Sequence, residues 1–165
     1  MRLILMVEFD EESMAALVEP EVAARLGLRT RILKTPKAPS RMRGRQVHGE
    51  DILEEVTRLR LKHGAEYVIG FVKEDMYVPN MNFVFGLASR DTLSAVVSSH
   101  RLSSAEPEVF RDRLMKEVMH ELGHVFGLGH CGDVRCVMHF SNSLSDTDLK
   151  SSSLCDKCKS MLSLP

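Results

Sequence analysis

Apolar and polar positions along the 165-residue chain fall into two periods, one near two residues and one near four. Residues 2–9, RLILMVEF, are an almost unbroken apolar run of strand length, which predicts a buried strand. Residues 11–27 carry helical spacing, interrupted or restarted at Pro20 and ended by Gly27. Residues 28–34, LRTRILK, set Leu28 and Ile32 among polar neighbours and predict a second strand. Residues 35–49 are rich in Pro, Gly and cations and predict a loop. In residues 50–64, Ile52, Leu53, Val56 and Leu59 share one helical face and Gly64 is placed to end the helix. Residues 66–72, 81–89 and 92–100 predict three more strands, the last two separated by Arg90 and Asp91. Pro107 then opens a long helix that runs to about Gly127, and short turns rich in Ser, Asp and Cys follow. Strands and helices alternate through the first half, so the expected class is α/β with a mixed or parallel sheet. No internal repeat is present.

The length fits one domain, residues 1–165, large enough to bury a core. Apolar residues are 44% of the chain, which argues against disorder, and with no Trp and few aromatics the core is expected to be aliphatic plus Met. A net charge of −1 points to neither nucleic acid nor a membrane surface as partner. The N-terminal apolar run is followed at once by Glu8 and Asp10, unlike a signal peptide, and no stretch reaches the roughly 20 apolar residues of a membrane helix. A soluble, cytoplasmic monomer is the expectation. In that reducing compartment four clustered cysteines read as metal ligands before they read as disulfides. Residues 29–45 hold seven cations and no acid, a solvated stretch or a contact for an acidic partner.

The chemistry concentrates in residues 120–131, HELGHVFGLGHC. His120 and His124 are one helical turn apart and project from one face, so they can meet a single ion. Glu121 sits beside them but out of line, able to reach a water at the metal without occupying it. Gly127 can take a left-handed conformation, letting the helix stop and the chain return His130 as a third ligand. Three neutral imidazoles leave Zn²⁺ one open position, the arrangement of a catalytic site. With this chain's residue frequencies a bare HExxH arises by chance in roughly 2% of such sequences, and adding Gly127 and His130 lowers that to on the order of 1 in 10,000. A helix of ordinary core histidines is therefore set aside.

HExxHxxGxxH, as His120, Glu121, His124, Gly127 and His130, resembles the metzincin signature of zinc peptidases. Met138 lies where the Met-turn of such proteins would fall. Read with Cys131, Cys136, Cys155 and Cys158, the pattern resembles the archaemetzincin family. The 16-residue gap from Met138 to Cys155 is slightly shorter than the family's. The RGRQ and NFVFGLAS stretches are similar to that family too. The resemblance implies a compact metzincin fold: a mixed twisted sheet with an active-site helix, in residues 1–127, and a small zinc-stapled C-terminal subdomain, in 128–165. It also implies that Asn82, Phe83, Val84, Phe85, Gly86 and Leu87 pair with an extended peptide through main-chain hydrogen bonds.

Cys131 and Cys136 form one close pair, Cys155 and Cys158 another, and together they make a closed Cys₄ zinc site, with two disulfides or free thiols as the alternative. Arg135, Lys157 and Lys159 beside the ligands temper its negative charge. His48, His63, His100 and His139 read as surface or supporting residues, with His139 placed to line the cleft. Tyr77 reads as loop packing or a substrate contact. The functional expectation is a metallopeptidase with two Zn²⁺ per chain, acting on a peptide or protein through Glu121 as general base. Its alternative is a two-zinc binding or regulatory module on the same scaffold with little hydrolysis.

Overall fold

The computed structural model describes residues 2–10 and 13–162. The expected first helix began at Glu11 and Glu12, which lie outside the described residues.

Four strands lie parallel and one antiparallel, in the order β2-β1-β5-β8-β7, formed by β1 (Leu3–Phe9), β2 (Arg29–Thr35), β5 (Tyr67–Val72), β7 (Gly86–Ser89) and β8 (Ser94–Ser98). The mixed α/β class expected from the alternation of elements is the class found. The pleat sorts side chains to two faces. Ile4, Met6, Ile69, Phe71, Ala95 and Val97 pack against α1 (Met14–Leu26) and α3 (Pro107–Val125). Leu5, Val7, Val68, Val72 and Val96 pack against α2 (Gly49–Lys62). A strand covered on both faces has no polar side to show, which is why β5 reads as an apolar run and β1 is broken only by the buried Glu8. Gly70 in β5 lets α2 approach: a Cβ there would lie 2.6 Å from Val56 Cγ1. Ile32, taken as an apolar position of β2, is 37% exposed, because β2 is an edge strand, and Leu33 on the opposite face packs toward the α2 side.

Three local expectations are corrected. Helix α1 runs unbroken through Pro20. The bond that proline deletes would have gone to the carbonyl of Ala16, and both residues are exposed, so water can replace it. Residues 35–49 are not simply a loop. Met42–Arg43 (β3) and Gln46–His48 (β4) form a hairpin, and β4 pairs parallel with β6 (Met76–Tyr77). Gly44 supplies the positive φ, 60°, wanted at the first position of a two-residue turn. The strand expected over 81–89 is confined to Gly86–Ser89, and residues 78–85 form an irregular wall.

Helix α3 carries the chemistry to the open edge of the sheet. Pro107 opens it at a position where its missing N–H costs nothing. The helix ends at Phe126, and Gly127 turns with φ 97°. Beyond it, α4 (Leu144–Leu149) and α5 (Asp156–Met161) are two short helices in an otherwise irregular tail. Among the described residues, no helix is long and apolar enough to cross a membrane.

Candidate metal centres

One turn of α3 brings His120 and His124 together, with their Nε2 atoms 3.2 Å apart. The chain reverses at Gly127 and returns His130, so that one ligand atom from each ring lies within 4.8 Å of the other two. Nitrogens on a tetrahedral zinc ion, at bonds of about 2.0–2.1 Å, stand roughly 3.3–3.4 Å apart, so the His120–His124 pair is spaced for such an ion. Their orientation is fixed from behind. His120 Nδ1 lies 2.7 Å from the carbonyl of Val137 and His124 Nδ1 lies 2.8 Å from that of Leu128. A carbonyl can only accept, so each Nδ1 carries the proton and each Nε2 presents its lone pair. Burial, with the Lys150 ammonium nearby, lowers the pKa of His120 to about 3. Burial also lowers His124 and His130 from their ordinary values. Each shift favours the neutral ring, the form that binds a metal.

Met138 is fully buried, and its sulfur packs against Gly123, between the two helical ligands. Any side chain at position 123 would collide with that sulfur. The Met-turn expected from the motif therefore has a partner on the helix, a glycine that passed unremarked in the sequence because helical spacing alone gives it no role.

Glu121 is 5% exposed and lies against the backbone of Gly86 at the start of the edge strand. A Cβ at Gly86 would stand 2.5 Å from Glu121 Oε1 and 2.6 Å from its Cγ. Burial, reinforced by the Glu117 carboxylate, raises the Glu121 pKa well above the usual carboxylate range, with Lys150 opposing. Gly86→Ala pushes this carboxylate off its position. A misplacement near 1 Å costs up to about a hundredfold in rate, so kcat is expected to fall roughly tenfold to a hundredfold with zinc content unchanged. Steady-state kinetics beside metal analysis checks it, and an unaltered kcat would show that Glu121 needs no such room.

Behind Glu121 lies a buried charge cluster the sequence did not reveal. Lys150, with no exposed side-chain surface, sits 3.7 Å from Glu117 Oε1 and donates to the His139 carbonyl at 3.1 Å. Thr147 donates to the same Glu117 oxygen at 3.4 Å. Glu117 is one helical turn before Glu121, and burial raises its pKa as it lowers that of Lys150. A lysine thirty-three residues from its glutamate leaves no local spacing to read.

A cavity of about 330 Å³ opens over these groups. Residues 80–86 form one wall, Phe140, Ser141 and Asn142 the other, and Glu117, His120, Glu121 and Lys150 lie at its base. Of the expected peptide-contact residues, Asn82, Phe83, Val84, Phe85 and Gly86 line it, whereas Leu87 packs toward α2. His139 does not line it; its Nδ1 bonds the Cys131 carbonyl at 2.8 Å. Tyr77 lies inside β6, edge-on to the buried His48.

The four cysteine sulfurs converge within 4.8 Å of one another on the far side of the same loop. Cys131 and Cys155 stand 3.8 Å apart, the separation that zinc–sulfur bonds of about 2.3 Å impose, and far beyond the roughly 2.05 Å of a disulfide. The Cys155 N–H points at Cys136 Sγ, 3.4 Å away. His130 and Cys131 thus stand in different ligand clusters although one peptide unit joins them.

A family described as Peptidase family M54 matches residues 39–163. Archaemetzincin of Thermococcus kodakarensis is 48% identical over 124 residues, spanning 72% of this chain and 67% of that protein. Archaemetzincin of Methanopyrus kandleri is 48% identical over 102 residues, 62% of this chain and 58% of its own length, so the alignments leave part of each relative uncovered. Among solved structures, the malonate complex of archaemetzincin from Archaeoglobus fulgidus superposes with a TM-score of 0.86 at 30% identity, covering 98% of this chain and 100% of that one. The Methanopyrus kandleri structure gives 0.84 at 34% identity, over 97% and 92%.

Proposed function

The chain belongs to Peptidase family M54 and is by that membership a zinc metallopeptidase; we propose that it hydrolyses peptide bonds at His120, His124 and His130, with Glu121 as the general base. The observation that carries this reading is the convergence of three imidazoles, two of them oriented from behind by carbonyls, beside a buried carboxylate. Zinc, when bound there, supplies a Lewis acid that polarises the scissile carbonyl and lowers the pKa of a water toward about 7.

The chain's own groups do the rest. Glu121 accepts a proton from the water as its oxygen attacks the carbonyl carbon. Its buried carboxyl then delivers that proton to the amine nitrogen as the carbon–nitrogen bond breaks. A group with raised proton affinity suits both transfers. The peptide lies along β7, the open edge of the sheet. Ser98 donates to the Phe85 carbonyl, and ladder alternation then turns Leu87 inward and leaves the main-chain groups of Gly86 and Ala88 on the open edge for an extended substrate. Cys131, Cys136, Cys155 and Cys158 hold a second, structural zinc, so residues 1–165 work as one metallopeptidase unit with two ions.

Digestion of a peptide library tests the proposal. New N-termini are expected with the zinc-loaded protein, absent after 1,10-phenanthroline and restored by added Zn²⁺. A zinc-loaded protein that cleaves nothing, or cleaves equally in chelator, would leave only a two-zinc binding module.

A further inference from the structure

The irregular wall of the cleft is held by side chains from the cationic stretch that sequence alone left without a role. Arg43 Nη2 donates to the carbonyls of Met81 and Asn82, both at 2.9 Å. Gln46 Nε2 donates to the same Asn82 carbonyl at 2.8 Å, and Arg43 Nε donates to Gln46 Oε1 at 3.0 Å. Gln46 Nε2 also reaches Asp75 Oδ2 at 3.1 Å. Asp75, 9% exposed, in turn receives a paired contact from Arg101, with Nε to Oδ1 and Nη2 to Oδ2 each at 2.9 Å. The Arg101 guanidinium closes the circuit by stacking 3.9 Å over the Phe83 ring.

These bonds fall on a segment with little support of its own. Residues 78–85 make few main-chain bonds of the regular kind; Met81 N–H to Val78 O and Val84 N–H to Met76 O are the internal ties that frame it. The two-residue turn at Gly44 places Arg43 and Gln46 side by side as a register pair, so both reach the same carbonyl pair.

We propose that Arg43 and Gln46 are positioning residues for peptide binding: they fix the main chain of Met81–Phe83, braced by Asp75 and Arg101, in the shape that receives substrate beside Glu121. The proposal rests on the peptidase reading above and deepens it. It also restricts that reading. With the Met81 and Asn82 carbonyls already engaged, the peptide's main-chain partners are those of Gly86 and Ala88 on the edge strand, and Asn82 contributes position rather than pairing.

The test separates the wall from the metal. Acetohydroxamate touches a zinc centre and little else, whereas a peptidyl hydroxamate must also lie along the wall. Calorimetric titration of both into zinc-loaded protein reads binding without turnover, so it is independent of whether peptides are cleaved. Arg43→Ala is expected to weaken the peptidyl hydroxamate about tenfold, the size of losing one pre-ordered segment, with acetohydroxamate unchanged. Gln46→Ala is expected to follow in the same direction with a smaller loss, and serves if Arg43→Ala does not fold. Arg43→Lys is expected to recover part of the affinity, since an ammonium can reach one carbonyl. A hairpin that only stabilises the fold would lower the melting temperature and leave both affinities alone, which overturns the proposal. So does a wild-type protein that binds the peptidyl hydroxamate no better than acetohydroxamate. Failure of the peptidase reading would show elsewhere, as absent turnover with the binding difference intact.

Discussion

Glu121→Gln is expected to lower kcat by roughly 10³-fold, within the 10²–10⁴ that a positioned general base contributes, while zinc content and fold stay unchanged. The amide has the shape of the carboxylate and fits the space that Gly86 leaves open. What it lacks is the capacity to accept a proton from the attacking water and return it to the leaving nitrogen. The neighbouring Glu117 does not replace it. Its carboxylate is engaged by Thr147 and Lys150, one helical turn away from where the proton must be taken. Burial and Glu117 both disfavour the ionised Glu121, with Lys150 opposing, so a neutral amide suits the position. Single-turnover kinetics on a cleaved library peptide, with metal analysis on the same sample, reads the effect. Equal rates for the two proteins would remove Glu121 from the chemistry.

The metal ligands were legible in the sequence because their chemistry imposes spacing. Two histidines on one helix face must be four apart, and the turn at Gly127 requires a residue tolerant of φ 97°. The strands of the sheet centre were legible for a related reason: burial on both faces leaves few polar letters in them, Glu8 in β1 and the end serines of β8 being the exceptions. What escaped was what depends on distant partners. The hairpin at Met42–Val47 escaped because its strands are two and three residues long, β3 exposed and β4 buried, so neither period develops. Helix α1 crosses Pro20 because the deleted bond faces water, a fact about orientation that a proline in a string of letters does not convey. Lys150 is the sharpest case. It lies in a Ser-rich tail beside Asp148 and reads as a surface cation, yet it is fully buried against Glu117 and the His139 carbonyl. Burying an ammonium is unfavourable unless it is paired, so its placement marks a tie between α3 and the segment after Met138.

Cys155→Ser is expected to disable both metal centres, and to do so from outside the cleft. A serine hydroxyl does not supply the thiolate, and three sulfurs do not close the site. The rest of the segment from Leu128 to Leu162 is two helices of six residues, too short to persist alone, held to α3 by apolar anchors such as Val137 and Met138 and by the Lys150–Glu117 and Arg113–Asp148 pairs. A structural zinc contributes about 10–16 kcal/mol to a small site, as much as the whole stability of a typical domain, about 5–15 kcal/mol. The consequence reaches the histidines through three named bonds. The Val137 carbonyl orients His120, the Val137 N–H is held by the Ser153 carbonyl two residues before Cys155, and the Cys131 N–H is held by the Met138 carbonyl. Release of Cys155 frees residue 153, then 137, then the His120 ring, while Cys131 carries its neighbour His130 with it. The expected result is fewer than two zinc ions per chain, a melting temperature lower by about 10 °C or more, and loss of turnover that added zinc does not restore. Purely separate sites would give another outcome: one zinc lost, one kept, and kcat intact. The main-chain bonds from Ser153 through Val137 to His120 make that separation physically hard to sustain, because the ligand nearest the base of the cleft takes its orientation from a stretch of chain that is bonded to residue 153, two positions before Cys155.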